Sequence, residues 1–126
     1  MIDVIDDIVK VLNSIDELKG KVYRRWPKKA VKMPAVLVSR IGGNPTLTES
    51  DGSEVIASLT YSIDINANTQ EKADSLTAIV VDTLSQYNMH RAGTTDFYDE
   101  VLQVYRCILT FMVTVDKRGN TFTGGF

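Results

Sequence analysis

At 126 residues with 44% hydrophobic content, the chain suits one domain with one core and is too apolar to stay disordered. Its single cysteine, Cys107, excludes an intramolecular disulfide and a Cys-rich zinc site, and no apolar run approaches the twenty or so residues that cross a bilayer. Net charge is −2, but the charges are segregated: between Leu18 and Thr48 there is no acid, and that interval holds Lys19, Lys21, Arg24, Arg25, Lys28, Lys29, Lys32 and Arg40.

Residues 2–13 are predicted as a helix. Ile2, Ile5, Ile8, Val9 and Leu12 recur at three- and four-residue steps, Asp3 is a candidate cap, and Asp6 and Asp7 lie near the positive end of the dipole. The acids in MIDVIDDIVKVL stand where an export signal needs positive charge, so no export signal is read. Ser14-Ile15-Asp16-Glu17 has capping-box spacing for a second short helical turn, with Gly20 as its stop. Lys21–Trp26 is a short strand candidate closed by Pro27. Residues 28–33 form a basic connector, and Pro34 opens a strand, Ala35–Ile41, whose near-continuous apolar start fits cover on both faces.

Gly42 to Glu54 is expected to be a loop, rich in Gly, Pro, Asn, Ser and Thr and long enough to be functional. It tops an extended hairpin whose second arm, Val55–Ala67, is the longest alternating stretch in the chain. Val55, Ala57, Leu59, Tyr61, Ile63, Ile65 and Ala67 take one face; Ser58, Thr60, Ser62, Asp64 and Asn66 take the other. Thirteen extended residues span about 43 Å, against about 17–20 Å for an ordinary strand. The Val55 end is therefore expected to reach partners and the Ile63–Ala67 end to be core.

Thr69 caps a second predicted helix reaching Tyr87, with Ala73, Leu76, Val80, Leu84 and Tyr87 as its buried stripe and Asn88 at its C-terminal left-handed position. Met89–Thr95 is a weak strand candidate and Asp96–Glu100 an acidic turn. Val101–Val115 is a second long strand, with Tyr105, Cys107, Leu109, Phe111, Val113 and Val115 on one face and Arg106, Thr110 and Thr114 on the other. The order predicts an α+β fold: an antiparallel-dominated β-sheet with long projecting strands and two α-helices packed on one face. Residues 1–117 form one domain, and 118–126 read as a flexible C-terminal arm carrying Phe122 and Phe126.

No catalytic constellation emerges. His90 is the only histidine, Cys107 sits on an apolar strand face, and no carboxylates stand at metal-ligand spacing. Asp96, Asp99 and Glu100 cluster as a solvated acidic turn or, alternatively, an acid–base or cation site. Gly42-Gly43 lacks the following helix and Gly-Lys-Ser/Thr of a phosphate loop. Tyr23 and Trp26 among Arg24 and Arg25 have the interleaving of single-strand nucleic-acid binders, against which stands a strand with its aromatics in the core and arginines outside.

Taken in order, KVYRRWP, MPAVLVSRI, SDGSE, LTYSIDINANT, QEKADSLTAIVVDTL, YNMHRAGTTDFYDE and VYRCILTFMV resemble the small tail-completion proteins of tailed bacteriophages and prophages, the tail terminator or tail-to-head joining family. The resemblance runs over nearly the whole chain and includes no catalytic signature. It implies a structural virion protein with no enzymatic activity and no cofactor: a six-membered ring that caps the tail tube at its head-proximal end, stops its growth and meets the head connector. The implied partners are further copies of the chain, the tail tube protein and the connector or stopper protein, with no membrane and no specific nucleic acid. Assembly would take place in the host cytoplasm.

The segregated charges suit a heterologous contact between unlike edges of neighbouring copies. Residues assigned to oligomer or partner contact are Arg24, Arg25, Asn44, Thr46, Glu49, Asp51, Ser58, Thr60, Phe122 and Phe126. The competing readings are a head-side connector or head-completion protein of the same kind of particle, and a small α+β module binding nucleic acid through residues 19–40.

Overall fold

The computed structural model describes residues 3–28, 30–47, 55–87 and 89–116. The elements are α1 (Ile5–Asn13), a 3-10 turn (Asp16–Leu18), β1 (Val22–Tyr23), β2 (Ala35–Leu47), β3 (Val55–Ala67), α2 (Gln70–Ser85), β4 (His90–Asp99) and β5 (Val104–Asp116). The strands form one sheet in the order β1-β2-β3-β5-β4. Only β1–β2 is parallel; the other three pairings are antiparallel. The fold is thus α+β with an antiparallel-dominated sheet, as the element order predicts.

The strand β3 lies at the centre. It pairs with β2 from Ala35↔Asn66 to Leu47↔Val55 and with β5 from Ile56↔Asp116 to Ala67↔Tyr105. Because directly opposed residues share a face, the register aligns Val38, Ile63 and Leu109 in one row and Val36, Ile65 and Cys107 in the next. These rows face the helices. Ile8, Leu12, Leu76, Val80 and Leu84 pack with Leu59, Tyr61, Ile63, Leu109 and Phe111 in a single core. The Ile63–Ala67 end is core, as expected. At the other end the ladder continues four pairs beyond Leu59, to Leu47↔Val55.

Local signals fix the helix ends. The Thr69 hydroxyl accepts from the Lys72 amide at 3.1 Å and starts α2. Ahead of α1, the Asp3 carboxylate accepts from the Ile5 amide at 3.0 Å, although Val4 occupies the cap position. Gly20 has φ +77°, the left-handed backbone that stops the 3-10 turn, and its amide donates to Asn13 Oδ1 at 3.0 Å. Tyr61, fully buried, ties the sheet to the start of α1: its hydroxyl donates to Asp3 Oδ1 at 2.6 Å and accepts from the Val4 amide at 3.0 Å.

Five element boundaries differ from the sequence reading. The first strand is only Val22–Tyr23, because its ladder partner is two residues of β2 and the chain then turns away at Arg24. Gly42–Leu47 is strand rather than loop: pairing with β3 carries it through Gly42, Gly43 and Pro45, after a bulge between Arg40 and Gly42. Glycine and proline are tolerated there because β2 is an outer strand along that stretch. Asp96–Asp99 is strand, since β5 supplies the ladder that the polar sequence does not advertise, and the turn falls at residues 100–103. Consequently β5 starts at Val104, leaving Val101 90% and Leu102 58% exposed. The last helix residue is Ser85, with Tyr87 packed against the core just beyond it. Residues 48–54, Asn88 and 117–126, including the expected arm, lie outside the described residues.

Ile63 stands in the middle of the central row and is fully buried. Ile63→Ala is expected to cost about 2–5 kcal/mol through lost burial and the cavity left behind, read as a lower denaturant midpoint at unchanged slope.

Candidate functional site

The helices leave one face of the sheet uncovered, and that face carries a polar cluster at its Ala67 end. Asp64 and Asn66 are 6% and 1% exposed, although their strand alternation marks them as polar-face residues. The Arg106 guanidinium binds both Asp64 oxygens through Nε and Nη2, and its Nη1 reaches Asp99 Oδ2 at 3.0 Å. Asn66 Nδ2 donates to Asp64 Oδ1 at 3.0 Å. The guanidinium also lies 5.2 Å from the centre of the Phe97 ring, its cross-strand neighbour. Asp99 Oδ1 accepts from the Val101 and Leu102 amides, both at 3.0 Å, so one carboxylate holds the β4–β5 turn and the arginine together.

Those turn amides, then the Arg106 contact, hold the Asp99 carboxyl below the usual carboxylate range, and Asp64 first of all raises the Arg106 pKa. Beside the cluster, Trp26, Val31, Met33, Leu102 and Val104 line a cleft of about 370 Å³ with Asn66 at its base. The connector after β1 and the β4–β5 turn therefore cover this end of the helix-free face.

The two sheet edges differ in charge. Between α2 and β4 runs a cleft of about 560 Å³ lined by Asp74, Asp82 and Asp96, with Arg91 as the only cation among the described residues that line it. On the opposite edge, where β1 ends beside β2, a cleft of about 570 Å³ is lined by Arg24, Arg25 and Arg40, with Asp3 as the only acid among the described residues that line it. Arg24 bonds Asp6 at 2.9 Å, but both side chains are more than half exposed, so the pair contributes about 0–1 kcal/mol. Arg40 Nη1 stands 3.7 Å from Asp3 Oδ2. Along β4 every residue from His90 to Tyr98 is exposed.

The structure separates the residues weighed for catalysis. Asp96 faces the helix side, opposite Cys107, whereas Asp99 faces the other side of the sheet. His90 is exposed at the start of β4. Burial pushes the Cys107 thiol up to about 11, and the Asp96 carboxylate that takes its hydrogen bond adds to the shift. Burial, then the bond to Asp3, likewise raises the Tyr61 hydroxyl. No group of three His, Cys, Asp or Glu side chains able to hold a metal occurs among the described residues, and no described helix is long and apolar enough to cross a membrane.

Of the residues assigned to contacts, Arg24 and Arg25 are exposed in the basic cleft, and Ser58 and Thr60 are half-buried on the helix-free face. Asn44 and Thr46 fall in the outer part of β2, paired with Ser58 and Ile56. Glu49, Asp51, Phe122 and Phe126 lie outside the described residues. Neither Tyr23 nor Trp26 enters the core; their rings stand 5.8 Å apart, and Trp26 is 38% exposed. Sequence reasoning missed the Asp64–Arg106–Asp99 cluster. Its one signal was an acid and an arginine on the polar faces of the two long strands, which only the register brings together.

No protein-family model matches the sequence, and no curated protein matches it at a significant level. A solved chain from the virion of a native gene transfer agent particle shares the fold, at 17% identity, over 86% of this chain and 91% of that one, with a TM-score of 0.65. At that identity the likeness is one of fold.

Removing Arg106 leaves the Asp64 carboxylate nearly buried without its cation. Arg106→Leu is expected to destabilise by about 3–5 kcal/mol, measured by denaturant unfolding. For Asp99 the sign follows from its depressed pKa: the stabilisation is present above the ordinary carboxylate pKa and is lost as pH falls through the lower folded value. The stability gap between the natural chain and Asp99→Asn should be widest near neutral pH and should close on acidification. Native Cys107 should resist thiol reagents at neutral pH and react only on unfolding.

Proposed function

We propose that this chain is a structural virion protein of the tail-completion kind, a tail terminator that forms a ring at the head-proximal end of a tail and joins it to the head connector. The observation that carries the reading is the fold shared with a virion chain over nearly the full length of both. The run of motifs from KVYRRWP to VYRCILTFMV points the same way.

The molecule's chemistry is compatible with a passive role. Among the described residues, four acids bond side chains that hold strands and turns: Asp3 bonds Tyr61, Asp64 and Asp99 bond Arg106, and Asp96 bonds Cys107. The activity proposed is geometric: the ring ends polymerisation of the tube and presents a surface to the connector. In this reading residues 48–54 and 118–126 make the contacts with tube and connector proteins, and six copies form the ring.

The test combines the mass of the purified chain with its position in an intact particle. The expected result is a closed oligomer located between tail tube and head, with loss of the gene giving overlong tails and unjoined heads. Location on the head side of the joint would assign the chain to head completion instead. Normal joined particles in its absence would overturn the reading. Truncation before Gly119 is expected to leave the ring intact and to lower the yield of joined particles.

A further inference from the structure

The sheet ends in two open edges, and they are unlike. On one side β4 pairs only with β5, and its outer edge is free among the described residues. On the other side β1 pairs with β2 at Val36 and Leu37, and among the described residues no strand pairs with the outer edge of β2 from Ser39 onward. Exposed strand edges are templates for further pairing unless they are blocked. Three antiparallel steps separate the two, so β4 runs antiparallel to β2. Setting a second copy beside the first with the same face up therefore brings β4 against β2 as an antiparallel pair.

We infer that the open edge of β4 in one copy pairs with β2, from Ser39 upward, in the next, and that this pairing is staggered along the strands. This rests on the ring reading above and specifies its contact.

Two observations set the stagger. The register carries Asp96 through Cys107 and Ile65 to the level of Val36, where β1 already fills the edge, so an unshifted neighbour collides. The same register carries Arg91 through Phe111 and Tyr61 to the level of Arg40, so an unshifted neighbour also sets arginine beside arginine. Sliding the incoming β4 toward the Leu47 end relieves both. It brings Asp96 to the level of Arg40 and near Arg25, on the helix side of both copies, where Asp74 and Asp82 from α2 face the same basic cleft. Closing tilted strands into a ring requires such a register offset. Unlike edges make the contact heterologous, the kind that closes into a ring.

The test uses the full chain and three variants: Arg25→Glu, Asp96→Lys and the two combined. Each single reversal is expected to weaken self-association about tenfold and to increase its sensitivity to salt, with the double variant recovering much of the loss. Arg25→Glu should melt close to the natural chain, whereas Asp96→Lys also loses the bond from Cys107, so association is compared well below the melting point of each variant. A second measurement is independent of charge: chains carrying Ser39→Cys are mixed with chains carrying Thr95→Cys and treated with a short bifunctional thiol reagent. A covalent dimer forms between the two kinds of chain if the edges meet.

Rings that form normally in all three variants, with no cross-link, would overturn the inference and leave the ring reading standing. A natural chain that stays monomeric both alone and with tail tubes overturns both. Loss of DNA binding in Arg25→Glu with association unchanged assigns the cleft to nucleic acid and also overturns the edge pairing.

Discussion

The structure depends on one strand being paired on both sides from Ile56 to Asn66. The thirteen residues of β3 alternate strictly, so its register with β2 and β5 settles the faces of all three strands together. A one-residue slip would turn Leu59, Tyr61, Ile63 and Ile65 out of the core and bring Thr60, Ser62 and Asp64 under the helices. Burial of the apolar row therefore fixes the sheet, and the helices follow: α2 starts two residues after β3 ends, and α1 is held by Tyr61 through Asp3 and the Val4 amide.

With both helices on one side, the opposite face must satisfy its polar groups by other means. It does so with a charge cluster rather than a second apolar layer. Asn66 lies in one cleft with Trp26, Val31 and Met33 of the connector and Leu102 and Val104 at the β4–β5 turn, and Arg106 with Asp99 compensates the nearly buried Asp64. Paired in this way the buried carboxylate is tolerated, and breaking the pair costs far more than never having made it. The same cluster holds the turn that leaves Val101 and Leu102 in solvent. Thus the features that look most like chemistry, a buried acid and an arginine, hold two strands and a turn together.

The two long strands, the two helices and the Thr69 cap were legible because their signals are local: period two over Val55–Ala67, a stripe at helical spacing, and a hydroxyl before the helix. The misread strand boundaries involve residues whose conformation a neighbour decides. Gly42–Leu47 lacks strand propensity and is strand because β3 pairs with it. Asp96–Asp99 looks like a turn and is strand because β5 pairs with it. KVYRRW looks like a strand and gives two residues, because β2 offers it only two partners.

The sequence by itself determined the α+β class, the centre of the core and the absence of a catalytic motif, since hydrophobic periodicity and residue type are properties of short stretches. Only the tertiary structure decided which strands stand at the edges, that the basic and acidic surfaces lie on opposite ones, and that Arg106 reaches both Asp64 and Asp99 across 42 and 7 positions of chain. The physical reason is that pairing order and register are set by long-range burial and hydrogen bonding, which no window of sequence contains.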